Sequence, residues 1–161
     1  NGQIDAWLPV NEAVGGDTAF IIPNTDTTLT IPSTSERVIT VGAYDSANIS
    51  TVGFSGRGYT RATEYIKPDL VAPGVNILTT TVGESITSFT GTSAAAPFVA
   101  GSAALLMEWG IVDRNDIFLY GERLKAFLCN GAIRDNSREY PNREWGYGRL
   151  CLKNTLDLLK K

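Results

Sequence analysis

The segment Ala94–Met107 constrains this chain more than any other. It is alanine-rich and apolar on every side apart from Ser102, a helical pattern with no polar face. A helix of that kind has to be covered all round, so it belongs in the middle of a domain. At 14 residues it is too short, and with Ser102 too interrupted, to span a bilayer, which takes about 20. The rest of the chain must supply the elements that wrap it.

Those elements read as strands first, then strands alternating with helices. Val38–Ala43 is a continuous apolar, β-branched run, the pattern of a strand covered on both faces. Asp69–Gly74 reads as a short buried strand ended by a turn, and Val75–Thr80 as a further strand before a turn at Gly83-Glu84. Upstream, Ile4, Ala6 and Leu8 alternate with polar or aromatic neighbours, Phe20–Ile22 is a second apolar run, and threonine-rich Asp26–Thr30 resembles an exposed strand. Downstream, helices are expected over Asp116–Asn130, with Gly131 as its cap, and over Leu150–Lys160, where Leu152, Leu156 and Leu159 form one stripe. The order gives an α/β fold with a β-rich front.

Composition narrows the chemistry. The net charge of −3 offers no electrostatic reason for nucleic acid or an anionic membrane as partner. Cys129 and Cys151 form no disulfide framework and match no zinc spacing, so they read as small buried apolar residues. Asp113, Asp116, Asp135 and Glu139 lack calcium-loop spacing and read as solvated surface. Arg134, Arg138, Arg143 and Arg149 alternate with carboxylates as a mixed-charge loop, and Trp7, Trp109 and Trp145 as core or interface fillers. There is no histidine, so the commonest general base is missing from the chain. The only methionine is Met107, and the chain opens at Asn1-Gly2-Gln3 without a signal-peptide pattern; a processed or trimmed product is expected.

One segment carries chemistry. Gly91–Pro97 joins a β-type run to the apolar helix. As an N-cap, Ser93 would hold its hydroxyl at the positive end of the helix dipole, beside N–H groups without intrahelical partners. An oxyanion formed there meets donors already in place. Pro97 then falls among the first four helical positions, where its missing N–H costs nothing. Local physics alone also allows Ser93 to be a plain capping serine.

The wording of Gly91-Thr92-Ser93-Ala94-Ala95-Ala96-Pro97-Phe98-Val99-Ala100-Gly101 closely resembles the serine motif of the subtilases, Gly-Thr-Ser-x-Ala-x-Pro-x-Val-Ala-Gly. Arg37–Ala43, Phe54–Gly58, Lys67–Gly74 and Gly146–Leu150 resemble further family segments in the family's order. Ala94 replaces the usual methionine and Phe98 the usual histidine of the motif, which marks a divergent branch. Ile4–Pro9 and Asp26–Pro32 resemble the germination-type subtilases of anaerobic spore-forming bacteria, which carry an inserted jelly-roll domain.

The resemblance implies a partial subtilisin-like three-layer α/β/α fold with a mostly parallel sheet, preceded by a short β segment. Residues 1–24 would be the tail of the insert and residues 25–161 the C-terminal part of the catalytic domain. It implies a serine endopeptidase in which Ser93 is the acyl-forming nucleophile, its backbone N–H one oxyanion donor, and the Thr92 hydroxyl a support. The triad runs Asp, His, Ser in this family, so both partners and the asparagine oxyanion donor would lie upstream; Asn1-Gly2 is a poor match for that donor. The chain alone would be inert. Implied partners are a polypeptide substrate and the missing N-terminal part of the domain, with self-association of the piece, no nucleic acid and no membrane. No cofactor is implied, calcium in the full-length protein being left open, and the site of action would be secreted, cell-envelope or spore-associated. A non-catalytic pseudopeptidase that binds or regulates a partner is the alternative. An α/β-hydrolase is not, because Gly53-Phe54-Ser55-Gly56-Arg57 fails its nucleophile motif.

Overall fold

The computed structural model describes residues 4–8, 15–61, 63–83 and 85–160. Its centre is a three-stranded sheet of β1 (Val41–Asp45), β2 (Ser50–Thr51) and β3 (Leu70–Pro73), in the order β2-β1-β3. β1 and β3 run parallel, with Val41 opposite Leu70 and Ala43 opposite Ala72. β1 and β2 pair antiparallel across a short turn, so the sheet is mixed. Side chains leave a strand on alternate faces, and the two faces differ. Ala43, Leu70 and Ala72 point into the main core with Ala95, Val99, Leu106, Leu119 and Leu128. Tyr44 and Val71 meet Trp145 on the other side. The Trp145 ring is 2% exposed and lies 5.6 Å from Tyr44, with the Arg138 guanidinium 4.6 Å above it.

The apolar helix α1 spans Thr92–Met107 and continues as a π-helical turn, Glu108–Val112. Two expectations change here. The combined helix of 21 residues, mean hydropathy 1.5, is long and apolar enough to cross a membrane, so length does not exclude a span. What ties it to the sheet is packing, since Ala95, Val99 and Leu106 sit in the core beside β1 and β3. Nor is it covered all round. One stripe is buried, Ser102 included, while Phe98, Leu105 and Met107 are 41%, 53% and 37% exposed.

Helix α2 (Gly121–Asn130) begins five residues later than its periodicity suggests. Gly121 sits at φ +54°, a left-handed conformation that separates the helix from the preceding turns. Gly131 does follow it, but in right-handed geometry. Its lack of a side chain serves a close approach: a Cβ there would lie 2.7 Å from the Thr155 backbone of α3 (Leu152–Leu159). Leu152, Leu156 and Leu159 pack on the main core as their stripe requires.

The front of the chain departs most from expectation. Residues 4–8 and 15–40 contain no strand, so the runs at 4–8, 20–22 and 26–30 are not β. Isolated contacts replace a ladder: Trp7 Nε1 donates to the Thr27 carbonyl at 3.0 Å, Asp5 pairs with Arg61, and Thr28 N–H donates to Arg57 O. With no adjoining strand edge, Trp7 stays 51% exposed and is no core filler. A second sheet, the hairpin of β4 (Ile77–Thr81) and β5 (Ser85–Phe89), goes beyond the single strand expected in that region.

Candidate active site

The path to Ser93 starts at Asp69, just before β3. Its carboxylate is 2% exposed, and Oδ2 accepts from the Thr40 N–H and from Lys67 Nζ, both at 2.7 Å. Lys125 Nζ approaches Oδ1 at 2.8 Å, and both ammonium groups also donate to the Val38 carbonyl. Buried charges persist only when paired and hydrogen-bonded, and this cluster satisfies that condition. Burial lowers the Lys67 ammonium below its ordinary 10.5 in spite of Asp69. For Lys125 burial acts in the same direction, but the Asp69 carboxylate outweighs it and raises the group.

At the other end of β3, Gly74 O accepts the Gly91 N–H at 2.8 Å. A Cβ on Gly74 would meet Ala43 Cβ at 2.5 Å and Gly91 O at 2.9 Å, so the three backbones touch. The turn before α1 is thereby fixed against the central strand.

Ser93 is the second residue of α1 and is exposed; Thr92 precedes it, half-buried. The N-cap is Gly91, with no side-chain capping bond, so Ser93 is not the cap that its position before the alanines suggested. The physical consequence favours chemistry. A capping hydroxyl is occupied by a backbone N–H, whereas Ser93 Oγ makes no hydrogen bond among the described residues. Pro97 also shifts in meaning. It is now the sixth helical residue, so its missing N–H leaves the Ser93 carbonyl without its intrahelical donor.

The structure brings Thr92 and Ser93 to one helix N-terminus; among the described residues no hydrogen bond or ion pair links them to a titratable side chain, and the two buried lysines are held by Asp69. Cavities of about 380 and 660 Å³ flank Trp7, and neither is lined by Ser93 or Thr92. No group of three or more metal-ligating side chains occurs among the described residues. Of the cysteines, Cys129 is 6% exposed, and burial with the nearby Asp69 charge pushes its thiol up to about 12. Asp116 and Asp135, expected in solvent, are ion-paired to Arg123 and Arg138. The Asp69 cluster was visible in part: Lys67 and Asp69 flank a buried apolar run, where charges must pair. Lys125 carries no such signal, because only the packing of α2 brings it there.

Comparisons with known proteins agree with this architecture. A family model described as "Subtilase family" matches residues 11–148. The serine protease AprX of Bacillus subtilis is 32% identical over 149 residues, covering 80% of this chain and 32% of its own length. The subtilisin-like protease SBT6.1 of Arabidopsis thaliana is 34% identical over 142 residues, covering 83% of this chain and 13% of its own. Among solved structures, the CspB protease of Clostridium perfringens superposes with a TM-score of 0.86 at 50% identity, over 89% of this chain and 31% of that one. The self-cleaved protease domain of PatA gives 0.65 at 28% identity, over 85% and 47%. The chain thus spans about a third of AprX and of CspB. With its mixed α/β core, its helix-borne Gly-Thr-Ser turn and this set of relatives, the chain belongs to the subtilase family of serine peptidases.

Proposed function

We propose that the chain carries the nucleophile portion of a subtilisin-type serine endopeptidase. Ser93 attacks the scissile carbonyl, and its N–H, with support from the Thr92 hydroxyl, receives the oxyanion. The observation that carries this reading is the exposed, unbonded Ser93 hydroxyl in the first turn of α1, where orphan N–H groups converge. The histidine that takes the serine proton and the aspartate that orients it come from a segment outside this chain, which has no histidine. That segment of the same catalytic domain also covers the exposed apolar face of α1 around Phe98 and Leu105. The chain by itself is inert, because losing one triad partner alone costs roughly 10⁴ to 10⁶ in turnover. The substrate is a polypeptide, the reaction needs no cofactor, and residues 1–24 are the tail of a domain inserted within the catalytic domain, whose C-terminal part is residues 25–161.

Fluorophosphonate labelling of the full-length protein, with the adduct located by peptide mass spectrometry, tests this. An adduct on Ser93 that disappears in Ser93→Ala is the expected result. A folded full-length protein that takes no adduct supports a binding or regulatory pseudopeptidase instead.

A further inference from the structure

Thr90 lies between the end of β5 and the Gly91 cap. Its Oγ1 accepts a hydrogen bond from the Asn76 N–H at 2.9 Å. One residue on, the Gly91 N–H donates to Gly74 O at 2.8 Å. These two bonds cross the open end of the hairpin just beyond its last backbone pair, Ile77 with Phe89. A side-chain oxygen thus extends the ladder where the backbone alone cannot. Asn76 holds a left-handed backbone, φ +52°, which asparagine tolerates better than most residues, and it is in that conformation that its N–H meets Thr90.

We propose, resting on the peptidase reading above, that Thr90 is a positioning residue for the Ser93 reaction. The Gly91–Gly74 bond and the close approach of Gly74 to Ala43 tie the turn down at one end, and the Asn76–Thr90 bond adds a second hold beside it. Two bonds fix its orientation, and with it the direction of the Ser93 N–H and hydroxyl. The first turn needs such a fixture, because Pro97 removes the donor that would otherwise hold the Ser93 carbonyl. Acyl transfer is sensitive to placement: a donor displaced by about 1 Å can cost on the order of 100-fold. Thr90 is itself exposed, so water can satisfy Asn76 when the hydroxyl is gone. The bond therefore contributes little to stability and much to geometry.

The test measures the second-order rate of fluorophosphonate labelling of the full-length protein, together with its melting temperature. Thr90→Val keeps the shape and removes the acceptor; its labelling rate should fall about tenfold, given that sensitivity to placement. The melting temperature should stay within about 2 °C, as for an exposed substitution. Thr90→Ser, which restores the acceptor, should return the rate to within about twofold of wild type. A Thr90→Val protein that labels at the wild-type rate overturns the proposal while leaving the peptidase reading intact. So does one whose melting temperature falls in step with its rate, or a Thr90→Ser that fails to rescue. A wild-type protein that takes no label overturns the peptidase reading, and this proposal with it.

Discussion

Cys129 gives the alkaline limb of the stability curve a measurable slope. The thiol is 6% exposed on α2, and burial, then the Asp69 charge, pushes it from an ordinary 9.0 up to about 12, against the pull of Lys125, Lys67 and Arg134. Below pH 9 the thiol is protonated whether the chain is folded or not, and its contribution is complete. Between 9 and about 12 the unfolded chain loses the proton while the folded one keeps it, so stability falls as pH rises. One unit of pKa difference is worth about 1.4 kcal/mol. The window is therefore worth roughly 4 kcal/mol in all, and about 2 kcal/mol between pH 9 and 10.5. Cys129→Ala removes the slope and keeps the lysines, so their titration drops out of the comparison apart from the last and smallest of the influences on Lys125, that of the Cys129 charge. Urea unfolding of both proteins at pH 8, 9, 10 and 10.5, with reductant present, should show the wild type losing its advantage by about 2 kcal/mol over that range. A gap that stays constant within about 0.5 kcal/mol across the series would refute the reasoning.

Three further outcomes follow from the packing. Asp69→Asn leaves Lys67 and Lys125 without their anionic partner, keeping only neutral acceptors, and should cost about 3–5 kcal/mol in chemical denaturation; a loss under about 1 kcal/mol would mean the lysines find other partners. Gly74→Ala drives a methyl into Ala43 and the Gly91 carbonyl, so stability should drop by about 1–3 kcal/mol and Ser93 labelling by an order of magnitude or more. Gly131→Ala pushes α3 off α2 and should lower the stability by about 1–3 kcal/mol without touching the labelling rate per folded molecule.

What the sequence revealed, and what it hid, divides along physical lines. β1, β3 and α1 announce themselves as runs of apolar residues, although only one stripe of α1 is buried, and the motif around Ser93 sits where two of them meet. The front segment misleads because alternation at Ile4, Ala6 and Leu8 marks a face, not a partner strand, and the described residues supply no ladder for it. The start of α2 misleads for a related reason. Ile117 and Tyr120 keep helical spacing, yet both are more than half exposed, and the left-handed Gly121 cuts the pattern. The cap at Gly91 was hidden by the serine two residues on, which is the better capping residue by type. The Asp69–Lys125 pair is purely tertiary, and no local pattern reports it.

The two anchored ends of β3 also govern how the gene for such a chain can change length. Asp69 is held by the lysines and Gly74 by the nucleophile turn, with only the strand between them. One residue inserted or deleted there would turn every following side chain to the opposite face, exchanging Ala72 for Val71 in the core and dislodging Gly74. The hairpin tip is the reverse case. Val82 is 99% exposed and β4–β5 is fastened at its base, so the tip can lengthen or shorten by pairs of residues without moving Ser93. Gaps among proteins built this way should therefore gather at the tip of the hairpin and be missing from the span between Asp69 and Gly74.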